Sequence, residues 1–135
     1  MIGLWLSILL FTIGCFLSKG GPYSDSTMPT RMVDLKIDET QREFFFEQMQ
    51  KFADEHDSRL VLTEYKMNNS FSVEIWGDDT LITANDVPPD ATLVYVFFYW
   101  INFGTPVDED AIDDLLEELV SLIIEIPNVT ITEEK

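Results

Sequence analysis

Between Ala91 and Asn102 the chain reads ATLVYVFFYWIN, and apolar residues occupy nearly every position. In a strand, successive side chains point to opposite faces. One face would carry Leu93, Tyr95, Phe97, Tyr99 and Ile101, and the other would carry Val94, Val96, Phe98 and Trp100. Since β-branched and aromatic residues dominate, the run predicts a central strand with neighbours on both edges and other elements packed on at least one face.

Two other segments show the period of amphipathic helices. The first follows Asp38, which lies three positions before Gln41 as in a capping box, and its apolar stripe contains Phe45, Met49 and Phe52. The second is predicted to begin with Thr105 as N-cap, Pro106 at the first helical position and Asp108 at the third, and Pro127 ends it. Its stripe consists of Ile112, Leu115, Leu116, Leu119, Leu122, Ile123 and Ile126.

Alternating apolar residues and turn formers predict the remaining strands. Leu60 to Met67 and Phe71 to Trp76 form a hairpin around Asn68-Asn69-Ser70, whose residues favour turns. Residues 31–37 predict an edge strand, residues 81–83 a short strand followed by a loop over 85–90, and residues 129–132 a short final strand.

The order of these elements predicts the fold class. Consecutive strands between two helices indicate an α+β two-layer sandwich, in which an antiparallel sheet of about four strands carries two helices on one face. A ferredoxin-like topology, with residues 32–37 as its first strand, is a neighbouring alternative. Residues 31–135 would form this single domain, because about 100 residues suffice for one core.

The amino terminus has the composition of an export signal. Residues 1–16 form an uncharged apolar run that is short for a transmembrane helix. Thr12-Ile13-Gly14-Cys15 resembles the lipobox of bacterial lipoprotein precursors, and the resemblance implies that residues 1–14 are removed and that Cys15 receives the lipid. Residues 15–30 would then be a tether rich in Gly, Ser and Pro. An ordinary signal peptide with an incidental cysteine, or an uncleaved anchor, is the alternative.

Composition restricts the class of partner. The chain has 135 residues, 46 % of them hydrophobic, and a net charge of -17, with no Lys or Arg from residue 67 to residue 134. Such a charge repels nucleic acid and attracts cationic partners. The predicted location is the cell envelope, on the periplasmic or extracellular side of a membrane.

No motif predicts a cofactor, a metal or a catalytic residue. The acids that follow Asp108 do not have EF-hand spacing, since an apolar Ile112 stands where the fifth loop position needs an oxygen ligand. His56, the only histidine, lies in a polar run where a helix is predicted to end, and no nucleophile partner is identifiable. Asp78 and Asp79 could serve a carboxylate-dependent hydrolase if they lined a concave pocket.

The residues therefore favour a non-catalytic protein-binding module. One alternative is an immunity or inhibitor protein for a basic toxin or hydrolase, and a further alternative is the hydrolase. Tyr95, Phe97, Tyr99 and Trp76 are the predicted partner-binding residues, for a protein partner or a second copy, because tyrosines suit a face without helices. The amino-terminal segment or the loop over 83–90 would be the alternative cover for that face.

Overall fold

The computed structural model describes residues 28–87 and 90–134. Six strands and two helices follow one another: β1 (Arg31–Lys36), α1 (Arg42–Glu55), β2 (Arg59–Tyr65), β3 (Ser70–Trp76), β4 (Thr80–Val87), β5 (Asp90–Trp100), α2 (Glu109–Ile123) and β6 (Thr130–Glu134). A 3₁₀ turn, Glu39–Gln41, precedes α1. The predicted export signal and Cys15 lie outside the described residues.

The strands form one antiparallel sheet in the order β2-β3-β4-β5-β1-β6. The α+β class is thus confirmed, while the predicted count of about four strands is too low. The βαββαβ order of a ferredoxin-like domain has two strands between its helices, whereas this chain has four. Neighbours on both sides of β5 confirm its prediction as a central strand.

Both helices pack on the same face of the sheet. The core combines their apolar stripes with every second residue of the inner strands, and its largest fully buried side chains include Phe45, Phe52, Phe98, Leu35 and Met49. Gln48 of α1 is also buried, and its Nε2 donates a 2.7 Å hydrogen bond to the carbonyl of Leu122 in α2. This bond satisfies a polar group that would otherwise be costly to bury.

Two strands differ from their predictions. Residues 31–36 form β1 as predicted, but β1 is an inner strand between β5 and β6, so the prediction of an edge strand is wrong. The short strand predicted at 81–83 is β4, which continues to Val87 through residues predicted as a loop. Asp86 can stay in this strand because its carboxylate accepts from the Phe71 N–H at 3.0 Å and pairs with Arg42.

The second helix begins later than predicted. Asp108, not Thr105, is the N-cap of α2, and its Oδ1 accepts from the Ala111 N–H at 3.0 Å. Thr105 instead belongs to the turn after β5, where its hydroxyl donates to the carbonyl of Asn102 at 3.3 Å. Thr and Asp are both good N-cap residues, so the local turn that engages Thr105 decides that Asp108 caps the helix.

Candidate functional site

The sheet has one face that carries no helix among the described residues, called here the open face. Val94, Val96 and Phe98 of β5 are buried under the helices, and Trp100 packs partly against the same core. The side chains between them, Tyr95, Phe97 and Tyr99, therefore point to the open face and are partly exposed. The predicted assignment of the two faces of β5 is confirmed.

Tyr95, Phe97 and Tyr99 form a continuous aromatic strip along β5. The ring centroids of Tyr95 and Phe97 are 6.2 Å apart, and those of Phe97 and Tyr99 are 6.3 Å apart. The rings are inclined at 66° and 58°, an arrangement that aromatic pairs prefer to direct stacking. The aromatic strip is thus a continuous and mainly apolar surface.

Trp76 lies on the same face, two strands away from the aromatic strip. It pairs with Leu81 of β4, which in turn pairs with Tyr99 of β5. The indole Nε1 donates to Glu74 at 3.1 Å, and the Arg59 guanidinium lies 5.8 Å from the ring centroid. The structure therefore brings all four predicted partner-binding residues to one face, with Leu81 between Trp76 and the strip.

Sequence reasoning missed part of this face. Met32 of β1 pairs with Phe97, Val61 of β2 pairs with Glu74, and Leu81 fills the gap beside Trp76. All three side chains are partly exposed. Alternation along each strand limits a residue to one of two faces, but only the register between strands shows which of these residues are neighbours.

The open face differs in charge from the rest of the chain. Its described charged side chains are two acids, Asp34 and Glu74, and two bases, Lys36 and Arg59. On the helical side, α1 carries four acids and two bases, and α2 carries six acids and no base. The acids of the two helices thus lie on the side of the sheet opposite the aromatic strip.

A second concave feature lies between the helices at one end of the sheet. This groove, of about 350 Å³, has an apolar floor that includes Phe52, Trp100 and Leu115. Carboxylates form its rim: Asp78, Asp79, Asp108, Asp114 and Glu118. The pair considered for hydrolysis, Asp78 and Asp79, therefore does line a concave pocket. We call this feature the acid-rimmed groove.

His56 closes one side of the acid-rimmed groove. Its Nε2 contacts the carboxylate of Glu118, which joins the end of α1 to the middle of α2. The imidazole also packs on Phe52, with a centroid distance of 4.5 Å. The side chains of His56 and Glu118 are 28 % and 55 % exposed, so this contact is a partly solvated link between helices of modest strength.

Arg31 binds the other side of α2. Its Nε donates to Asp113 at 2.8 Å, and one guanidinium nitrogen lies 3.4 Å from Glu109. The hydrogen bond to Asp113 raises the pKa of Arg31, against a smaller opposing effect of burial, and the charges of both acids act in the same direction. Arg31 thus holds the start of β1 to α2 as a charged guanidinium.

Neither a membrane span nor a metal site is found in the described ranges, 28–87 and 90–134. No helix there combines the length and the apolar character needed to cross a bilayer. No group of three or more His, Cys, Asp or Glu side chains there could hold a metal ion.

Comparison of the sequence with protein-family models finds no match, and comparison with curated proteins finds none either. The function must therefore be inferred from the open face and the acid-rimmed groove.

Proposed function

We propose that this chain is a non-catalytic protein-binding module of the cell envelope, exported and held at the membrane by a lipid on Cys15. The observation that supports binding is the open face, where the aromatic strip, Trp76 and Leu81 stand without a covering layer in the described part of the chain. Contiguous apolar patches on soluble proteins usually mark interaction sites, and aromatic residues are enriched in interface cores.

Solvation of the rim carboxylates argues for binding rather than catalysis. A carboxyl group that acts as a general acid near neutral pH needs a desolvated environment. Four of the five, Asp78, Asp108, Asp114 and Glu118, are instead exposed on the rim of the groove, and the fifth, Asp79, is partly buried and accepts from the Asn102 side-chain amide at 2.8 Å.

A second candidate function is that of an immunity or inhibitor protein for a basic toxin or hydrolase. The acid-rimmed groove favours it, since five carboxylates and no Lys or Arg line a concave surface with an apolar floor. Complementary charge of this kind speeds encounter with a cationic partner and selects against acidic ones. This candidate uses the helical side of the domain, whereas the first uses the open face.

The double variant Tyr95→Ser/Tyr99→Ser is expected to abolish partner capture while the domain stays folded. Both tyrosines are partly exposed, so their loss removes interface contacts and costs about 1–2 kcal/mol of folding stability. Partner capture from envelope extract by the full chain measures the first effect. Urea unfolding followed by circular dichroism measures the second.

Phe103→Ser is the matched control, because Phe103 is an aromatic residue in the turn after β5 and is 61 % exposed. It should leave capture unchanged. If the double variant unfolds, the tyrosines belong to the core, and if it is folded but captures the same proteins, the open face is not the binding surface.

Labelling of growing cells with palmitate tests the anchor. The wild-type chain should incorporate label, and Cys15→Ala should incorporate none, since Cys15 is the only cysteine and the thiol is where the lipid attaches in lipoproteins of this kind. Label on the Cys15→Ala chain, or no label on the wild type, contradicts the anchor. Neither result affects the proposal for the open face.

A further inference from the structure

We infer that the occupant of the open face is a second copy of this chain. The inference rests on the proposed function, because it names the partner of the same face. Two copies would meet sheet to sheet and form four layers, with the helices of each copy outside. Stacked sheets pack about 10 Å apart with their side chains interdigitated.

The balance of charge on the open face favours a second copy over a cationic protein. Asp34 and Glu74 are matched by Lys36 and Arg59 among its described side chains, so these four side chains carry no net charge that would attract a basic surface. A two-fold symmetric interface places the same patch on both sides. The described charged side chains of the patch, two acids and two bases, meet their own copies without net repulsion.

The strong acidity of the chain does not oppose this arrangement. The acids of α1 and α2 lie on the far side of each sheet, because both helices pack on the other face. With sheets about 10 Å apart and helices about 10 Å in diameter, the two helical layers are separated by roughly 30 Å. That distance exceeds the screening length of about 8 Å at physiological ionic strength.

The area of the open face matches a dimer of modest size. Six strands, each occupying about 4.8 Å of width and about seven residues long, give a face of roughly 29 by 23 Å, or about 660 Å². Specific interfaces begin at about 1,200 Å² in total, or roughly 600 Å² for each partner. The face therefore has to be used almost entirely, which a symmetric sheet-to-sheet contact does.

The middle of the open face is also its aromatic part. Thr83 of β4 pairs with Phe97 of β5 at the centre of the six strands, with Met32 on the next strand. A two-fold axis through this point brings the Phe97 side chains of both copies together. Interfaces of this kind are held mainly by the aromatic residues near their centre.

Photo-crosslinking of the full chain in cells tests the inference. Two differently tagged copies are co-expressed, with Phe97→benzoylphenylalanine as the probe and Ile124→benzoylphenylalanine as the control. Ile124 is the C-cap of α2 and is 59 % exposed on the helical side. We expect a product of twice the mass of the single chain, carrying both tags, from position 97 alone. Adding Tyr95→Ser/Tyr99→Ser should lower its yield by roughly tenfold or more.

Three other crosslinking results would contradict the second copy. A position-97 product of a different mass contradicts the second copy but supports a protein partner on the open face. A crosslink within one chain, or no crosslink from position 97, contradicts both the second copy and any protein partner on the open face. If the probe at position 124 gives the product of doubled mass in the same yield as the probe at position 97, the copies collide at random at the membrane. That result also overturns the inference.

Discussion

Phe98→Ala is expected to lower the free energy of unfolding by about 3–5 kcal/mol, the usual cost of truncating a buried phenylalanine. Phe98 is fully buried in the middle of β5, and its strand neighbour Ile82 is buried beside it. The Phe98 side chain lies in the core between the sheet and the helices, so its truncation leaves a cavity there. Chemical denaturation of wild type and variant measures the difference.

Phe97→Ala is the matched control, because it removes the same side chain from the next position of the same strand. Phe97 faces the open side and is only partly buried, so its loss should cost about 1 kcal/mol within a single copy. Equal losses for the two variants would contradict the assignment of the faces. Measurement at low protein concentration keeps any contribution from association out of the comparison.

Asp86→Ala is expected to cost about 3 kcal/mol. The Asp86 side chain is 3 % exposed, accepts from the Phe71 N–H, and lies 3.5 Å from a guanidinium nitrogen of Arg42. Its removal leaves a buried donor unsatisfied and a partly buried charge without this partner. Thermal or urea unfolding would detect the loss.

Asp86→Asn separates these two effects. The amide oxygen of asparagine can still accept from the Phe71 N–H, so only the ion pair with Arg42 is lost. About two-thirds of the destabilisation should remain, since the retained hydrogen bond from the Phe71 N–H contributes roughly 1 kcal/mol. If alanine and asparagine destabilise equally, the bond to Phe71 contributes nothing measurable.

Strong periodicity made most elements predictable from the sequence. The run from Leu93 to Trp100 and the two helical stripes have enough apolar residues to fix both type and buried side. The later part of β4 could not be predicted, because Asn85 and Asp86 are turn formers by local preference. In the strand, the Asp86 carboxylate is stabilised by Phe71 and Arg42, which are distant in the sequence.

The sequence allowed the prediction that one face of β5 is open, but not which residues of the other strands share that face. Tyrosines at alternate positions of β5 indicated the face with access to water. The charge balance depends on which strands are neighbours, and the inner position of β1 between β5 and β6 brings Asp34 and Lys36 onto this face. Pairing between the first and last strands is a long-range property that local patterns do not encode.

The position of β1 also sets an order of assembly during folding. The strands β2 to β5 pair with their neighbours in the chain, whereas β1 must close a long loop to reach β5, and β6 contacts the sheet through β1. Long-range pairings form later because loop closure costs entropy before any contact compensates for it. In pulse-labelled hydrogen exchange, amides of β3 and β4 should become protected first and those of β6 last, so a growing chain completes this sheet only after β6 has been synthesised and has paired with β1.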